Sequence, residues 1–116
     1  MRGSQATKNH RVNEIIRMMR LDRAADTPVG GKFVSGISGG ERKRTSIGFE
    51  IMCEPQVIML DEPTSGLDSF TAYLLVLVLN DYSKRGKTVI FTIHQPSADI
   101  WNLLDSIMLL VEGNLV

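Results

Sequence analysis

The apolar positions of the chain follow more than one period. Between residues 12 and 19 they recur at helical spacing, which predicts an amphipathic helix that ends near residues 20 or 21 and is capped by Thr7 or Asn9. A glycine- and proline-containing stretch follows and predicts a loop that leads to Ser38. The first third of the chain is therefore predicted to be one helix and one long loop.

The second half alternates short apolar runs with a longer helical one. Val57–Leu60 and residues 88–92 predict strands buried on both faces of a parallel sheet, and residues 106–111 predict a third strand. Residues 69–84 contain many leucine and β-branched residues, but their length and a capping residue at position 68 or 69 favour a helix. This strand–helix–strand order predicts an α/β fold with a parallel sheet core.

Two smaller features complete the expected core. A short helix after Pro96 is predicted to pack through Ile100, Trp101 and Leu104. Cys53 is the single cysteine, so no disulfide can form within the chain, which fits a reducing intracellular compartment. It is predicted to be a small buried hydrophobic residue.

Length and charge limit the classes of function. The 116 residues amount to one domain or part of one, and residues 1–8 are expected to be a leader outside the fold. The 13 Lys and Arg residues balance the 13 Asp and Glu residues, so composition gives no case for a nucleic-acid partner. No apolar run is long enough to cross a bilayer.

A glycine-rich segment opens the central predicted helix. Ser38 is a favoured N-cap residue, and Glu41 three positions later completes a capping box. Gly39 and Gly40 let a ligand approach the backbone, and the unpaired N–H groups of a helix start favour an anion such as phosphate. Taken alone, the segment is also typical of an ordinary capped helix.

Three basic residues follow on the first turns of this helix, Arg42, Lys43 and Arg44. The helix dipole does not favour positive charge at this end. A solvated face is the simplest interpretation, and a phosphate bound nearby is the alternative.

A pair of carboxylates follows the first predicted strand. Asp61 and Glu62 lie at its carboxyl end, where α/β sheets bind their ligands, and His94 follows the second strand at the same end. One carboxylate can hold Mg²⁺ while its neighbour orients an attacking water. A solvated turn and a structural histidine are the alternatives that these residues leave open by themselves.

Three segments together resemble the ABC-type ATPase domain. They are ISGGERKR at 37–44, DEPTSGLDS at 61–69 and TIHQPS at 92–97, and they are similar to the family's signature loop, its Walker B strand with D-loop, and its switch-histidine region. The chain looks most like subfamily G, the half-transporters with an amino-terminal ATPase domain. The resemblance covers roughly residues 11–116.

This resemblance implies the fold and its division. The fold would be a partial P-loop NTPase fold of the α/β class. Residues 9–53 would be the end of the helical subdomain with the signature loop and helix. Residues 54–116 would be the carboxyl-terminal part of the ATPase core.

The resemblance also implies roles at the sheet end. Asp61 would help to hold Mg²⁺, Glu62 would polarise the water that attacks the γ-phosphate of ATP, and His94 would contact that phosphate. Phosphoryl transfer depends mainly on positioning and electrostatics, and each of these side chains would supply one such contribution.

The remaining implied roles need a second ATPase domain. The segment Ser38, Gly39, Gly40 and Glu41 would bind ATP held mainly by that domain, and Asp68 would reach toward it. The resemblance therefore implies a homo- or heterodimer. It also implies a transmembrane domain as partner and a place at the cytoplasmic face of a membrane, although the chain alone is expected to be soluble.

The sequence departs from the family at one important point. It contains no G-x-x-x-x-G-K-[S/T] phosphate loop: Gly31 and Lys32 resemble its end, but Phe33 replaces the hydroxyl residue and Asp26 stands where the first glycine is required. The chain is therefore expected to be the carboxyl-terminal half of an ATPase domain and inactive alone. An unpaired strand edge is expected to lower its stability or to make it self-associate.

Two other interpretations stay open. A non-transport ABC ATPase of the chromosome or repair type shares these motifs, but such proteins have long coiled-coil arms before the signature, where this chain has only a short helix and a loop. A non-enzymatic truncated form that docks to an intact partner is the second.

Overall fold

The computed structural model describes residues 4–31 and 34–116. In chain order the elements are α1 (Gln5–Met18), a short 3-10 helix (Asp22–Ala24), α2 (Gly39–Ile51), β1 (Val57–Leu60), α3 (Ser69–Ser83), β2 (Thr88–Phe91), α4 (Ala98–Trp101), β3 (Leu110–Val111) and β4 (Asn114–Leu115). Lys32, Phe33 and the first three residues of the predicted leader lie outside the described residues. Within the described ranges, no helix is long and apolar enough to cross a membrane.

β1 and β2 form the predicted parallel pair. Val57 lies opposite Thr88 and Leu60 opposite Phe91, so the two strands end at the same edge. Parallel neighbours need a crossover connection, and α3 provides it. The carboxyl ends of the two strands are therefore brought side by side.

α3 is the centre of the hydrophobic core. Its inward residues are fully buried and meet α1, α2 and β1; the buried residues of this cluster are Ile15, Met19, Leu21, Ile47, Ile51, Ile58, Leu75, Val78, Leu79 and Tyr82. A second cluster, Ala72, Val76 and Ile100, joins α3 to α4. Burying each large side chain contributes about 1.5–3 kcal/mol to the stability of the fold. Because α3 supplies residues to both clusters, it is the helix on which its neighbours pack.

α1 begins earlier than predicted. Its N-cap is Ser4, whose hydroxyl accepts a hydrogen bond from the N–H of Thr7, so the predicted cap at Thr7 or Asn9 is wrong. Residues 5–8 are helical although they fall in the predicted leader. The helix ends at Met18, and Arg20 has a left-handed backbone conformation with φ of 54°.

The strands are less covered than predicted. Ile58 is buried, but Val57 and Met59 are 49% and 75% exposed, because α3 packs on one face of the sheet and no described element covers the other.

Residues 106–111 do not form a third strand of this sheet. Among the described residues only Leu110–Val111 is extended there, and it pairs with β4 in a separate antiparallel hairpin.

Two single-residue predictions are also wrong. Cys53 is exposed, because α2 directs Ile51 into the core and the chain turns away after it. Trp101 is 45% exposed, because the four-residue α4 has one face against α3 and Ile100 occupies it. Leu104 is half-buried.

Candidate functional site

The start of α2 has the predicted capping box. The Ser38 hydroxyl accepts the N–H of Glu41 at 3.2 Å, and the Glu41 carboxylate accepts the N–H of Ser38 at 2.8 Å. The hydrogen bond from the Ser38 backbone lowers the pKa of the Glu41 carboxyl. Ser38 and Gly39 are exposed, so this helix start is accessible to an anion from solvent.

The two glycines of this segment have different surroundings. Gly39 is exposed, and a Cβ built on it would meet nothing within 4 Å. Gly40 is buried, and a Cβ there would collide with the Cγ2 methyl of Thr71 on α3. The absence of a side chain at Gly40 therefore lets α2 approach α3 closely.

Asp61 and Glu62 are joined through a residue of the neighbouring strand end. The Thr92 hydroxyl donates to Oδ1 of Asp61 at 2.6 Å and accepts the backbone N–H of Glu62 at 2.8 Å. Glu62 has a left-handed backbone conformation with φ of 42°, which an ordinary residue adopts at some energetic cost. Both carboxylates are exposed at the end of the sheet.

His94 lies two residues beyond Thr92 and is exposed. It lines a cavity of about 210 Å³ together with Thr64 and Leu67, which belong to the loop after β1. The next residue, Gln95, is left-handed with φ of 49°. The structure therefore places His94, Asp61 and Glu62 at one end of the sheet, as the sequence predicted.

Asp68 lies at the start of α3. Its carboxylate accepts the Thr71 hydroxyl at 2.6 Å and the Thr71 N–H at 3.0 Å, so it is the N-cap of α3. Both hydrogen bonds lower the pKa of the Asp68 carboxyl, and the one from the Thr71 hydroxyl lowers it most. Because Gly40 packs against the same Thr71, the start of α2 and the Asp68 turn are neighbours.

The basic residues on α2 are not a uniformly solvated face. Arg42 is exposed and donates to the carbonyl of Val29 at 3.2 Å, and Lys43 donates to the carbonyl of Ser65. Arg44 is 7% exposed, and its Nε has no hydrogen-bond partner in the described part of the chain. The prediction of a solvated face is therefore wrong for Arg44, which places positive charge inside the protein near Gly40.

The acid pair is compatible with Mg²⁺. The residues that the structure describes contain no group of three or more His, Cys, Asp or Glu side chains that could hold a metal by themselves. Mg²⁺, however, is usually bound by one or two carboxylates together with waters and substrate phosphates. Asp61 suits this mode, since Thr92 engages only Oδ1 and Oδ2 has no protein partner among residues 4–31 and 34–116.

Sequence reasoning assigned no role to Thr92 or Thr71. Thr92 ends the predicted strand 88–92, and a hydroxyl beside two carboxylates at one sheet end is a signal that could have identified it. Thr71 gave no comparable signal, because its contact with Gly40 depends on how two helices pack.

A comparison with protein families decides the identity. The family model described as ABC transporter matches residues 2–65, more than half of the chain. The chain belongs to the ABC transporter family. The resemblance inferred from the motifs is thus confirmed.

Individual relatives show to which subfamily of ABC transporters this chain belongs. It is 54% identical over 109 residues to the broad substrate specificity ATP-binding cassette transporter ABCG2 of Mus musculus, which covers 94% of the chain and 17% of the relative. It is 47% identical over 110 residues to the ATP-binding cassette sub-family G member 8 of Homo sapiens, which covers 95% and 16%. The prediction of subfamily G is confirmed, and the chain spans about a sixth of the length of these curated relatives.

Solved structures support the fold of this ABC transporter chain. MJ1267, an ATP-binding cassette of an ABC transporter, superposes with a TM-score of 0.81 at 21% identity over 100% of the chain and 44% of that structure. CbiO1 from Clostridium perfringens, part of the ABC transporter complex cbiONQ, gives 0.76 at 24% identity over 100% and 44%. The predicted partial P-loop NTPase fold is confirmed.

Proposed function

We propose that the chain is the carboxyl-terminal part of an ATPase domain that powers a subfamily G transporter. In a dimer with a second ATPase domain it would bind and hydrolyse ATP with Mg²⁺. The observation that carries the proposal is the Thr92 bridge, which fixes Asp61 and Glu62 together at the end of the parallel strands. The two relatives that are 54% and 47% identical to the chain belong to the same subfamily.

Each side chain at the sheet end has a distinct proposed task. Asp61, oriented by Thr92, is a ligand of Mg²⁺, directly or through water. Glu62 accepts a hydrogen bond from the attacking water and polarises it toward the γ-phosphate. His94 donates to that phosphate from the neighbouring strand end.

The start of α2 serves a nucleotide held mainly by the second domain. The Ser38 hydroxyl and the N–H groups of Gly39 and Gly40 face a γ-phosphate, while Glu41 keeps the helix start in shape through the capping box. Asp68 lies on the neighbouring turn and reaches the same partner. The site is therefore composite and needs two domains.

The transport role is proposed from the relatives. We propose that the ATPase domain lies at the cytoplasmic face of a membrane, contacts a transmembrane domain and drives export of lipid-like or hydrophobic molecules. ABCG2 is described as a transporter of broad substrate specificity, which is compatible with such substrates. The subfamily G relatives do not support the alternative of a chromosome or repair ATPase.

The test compares the chain alone with a complete cassette. The 116-residue chain has no phosphate loop to hold the α- and β-phosphates, so we expect no ATP hydrolysis above the buffer rate. Joined to an amino-terminal half that carries this loop, it should hydrolyse Mg²⁺-ATP.

In that cassette Glu62→Gln should lower kcat by about 100-fold or more, since a positioned general base contributes a factor of this order. Glu112→Gln, a change in the exposed turn between β3 and β4, is the matched control and should retain activity. Turnover by the chain alone that Glu62→Gln stops would refute the expected inactivity. A complete cassette with equal rates for Glu62→Gln and Glu112→Gln would refute the role of Glu62.

A non-enzymatic docking role is the second candidate. The capping box at Ser38 is fully formed in a chain that has no phosphate loop, so the chain has the surface that a partner's nucleotide would contact. If this candidate is right, the chain should raise the ATPase rate of a partner domain whose own Ser38 equivalent is disabled. No stimulation would reject it.

A further inference from the structure

Lys43 connects α2 with the middle of the loop that follows β1. Its ammonium donates to the backbone carbonyl of Ser65 at 2.5 Å, across 22 positions of sequence. We propose that Lys43 is a positioning residue that holds the loop 61–68 against the start of α2. Its consequence for catalysis rests on the function proposed above, whereas the contact itself does not.

The middle of this loop has few other attachments. At its start the N–H of Glu62 is bound by Thr92, and at its end Asp68 caps α3. Between them, Pro63 is buried and Leu67 packs on the core, but Ser65 is exposed and its N–H bonds only within the loop, to the carbonyl of Glu62 at 3.1 Å. Among the described residues, Lys43 is the hydrogen-bond donor from another element that reaches this part of the loop.

The direction of Lys43 agrees with the packing of α2. Lys43 lies three residues after Gly40, so both project from neighbouring positions on one helix face. Gly40 contacts Thr71 in the first turn of α3, the helix that follows the same loop. One face of α2 therefore contacts both the loop after β1, through Lys43, and the first turn of α3, through Gly40.

This arrangement has a consequence for the composite site. The loop 61–68 begins with the carboxylates that would act on one nucleotide, and α2 begins with the serine and glycine that would bind another. Since Lys43 connects α2 to the loop 61–68, a displacement at the start of α2 is transmitted to the loop that contains Glu62. Lys43 thus acts through position, by holding the loop in place.

The contact is tested by amide hydrogen exchange on the nucleotide-free chain. Lys43→Met should speed exchange at the N–H groups of Ser65 and Leu67, which form the turns inside the loop, by about 2- to 10-fold, the factor for one net hydrogen bond. Lys8→Met on α1 is the matched control, because the Lys8 ammonium has no hydrogen-bond partner among residues 4–31 and 34–116. Equal exchange in the two variants would overturn the proposal.

A kinetic measurement on the complete cassette separates positioning from phosphate binding. Lys43→Met should lower kcat by about 3- to 10-fold with KM for ATP unchanged, because the reacting groups are misplaced while the nucleotide is still held. Lys43→Arg should restore the rate, and Lys8→Met should not change it. A raised KM with unchanged kcat would identify Lys43 as a phosphate ligand and reject the proposal. If the cassette shows no ATPase activity at all, the proposed function fails, and the exchange measurement still decides the role of Lys43.

Discussion

At the scale of single residues, the two adjacent glycines at the start of α2 do different work. Gly39 faces open space, whereas Gly40 is pressed against Thr71 of α3. A nucleotide-binding role needs only their backbone N–H groups, which alanine retains. The packing of α2 on α3, in contrast, requires that position 40 has no side chain and places no such requirement on position 39. Substitutions at the two positions should therefore have different effects on stability.

We therefore expect Gly40→Ala to lower the free energy of unfolding by about 1–3 kcal/mol, as overpacking of a buried contact does. Gly39→Ala should be neutral or stabilising by up to about 1 kcal/mol, because alanine is the better helix former. Urea denaturation followed by circular dichroism measures both.

The cause is tested by a second substitution. Thr71→Ser removes the Cγ2 methyl that an alanine at position 40 would meet and retains the hydroxyl that donates to Asp68. Gly40→Ala combined with Thr71→Ser should recover most of the lost stability. Full destabilisation in the double variant would mean that the methyl contact is not the reason.

At the scale of the elements, helix starts are the best-defined parts of this fold. Each of the four α-helices has an N-cap side chain that accepts a backbone N–H of the first turn. The N-caps of α1, α2, α3 and α4 are Ser4, Ser38, Asp68 and Ser97, respectively. Such caps stabilise a helix by about 1 kcal/mol each. In α2 the cap is reciprocal and involves a carboxylate, which makes its strength dependent on pH.

The expected pH dependence follows from the lowered pKa of Glu41. Its usual value is near 4.5, and the Ser38 N–H lowers it in the folded chain. The stabilisation from this carboxylate is therefore present above pH 4.5 and is lost as pH falls through the lowered pKa. Accordingly, Glu41→Gln should destabilise the chain at pH 7, and its difference from the unchanged chain should shrink toward pH 3.

Ser97→Ala on α4 is the control for this measurement. The Ser97 hydroxyl accepts the N–H of Ile100 in a cap without a reciprocal carboxylate, so its removal should cost about 1 kcal/mol at both pH values. Thermal unfolding at pH 7 and pH 3 gives both differences. A Glu41→Gln difference that stays constant with pH would contradict a role for the carboxylate charge.

At the scale of the whole molecule, much apolar surface has no described partner. Within residues 4–31 and 34–116 the parallel sheet has two strands, so each has an edge without a described neighbour. Val57, Met59 and Ile90 are at least 42% exposed. Unpaired edges and apolar patches favour association with other chains. The chain covers 44% of the cassette MJ1267.

We expect the isolated chain to be of marginal stability or to self-associate at micromolar concentration. Met59→Lys, in the middle of the uncovered sheet face, should reduce association without lowering the unfolding free energy, because the side chain is 75% exposed. Leu115→Lys in the separate hairpin is the control and should have a smaller effect. Sedimentation velocity over a concentration series measures this, and a monodisperse monomer that unfolds cooperatively would contradict the expectation.

The sequence was most informative where a few adjacent residues decide the structure. The capping box at Ser38, the cap at Asp68 and the bounds of α3 were predicted within about a residue, because their hydrogen bonds join positions three or four apart. The placement of Asp61, Glu62 and His94 at one end of the sheet also followed from the sequence, since parallel strands joined by a helix end at the same edge. The exposure of Cys53 and Trp101 was predicted wrongly, because burial depends on which neighbours are present.

The sequence by itself therefore determined α2, α3 and the two parallel strands, the family and the residues at the sheet end. Only the tertiary structure decided which of these residues touch: Thr92 with both carboxylates, Gly40 with Thr71, and Lys43 with Ser65. The physical reason is distance along the chain. These contacts join residues 22 to 31 positions apart, and their geometry is set by how α2, α3 and the strands pack rather than by any local pattern.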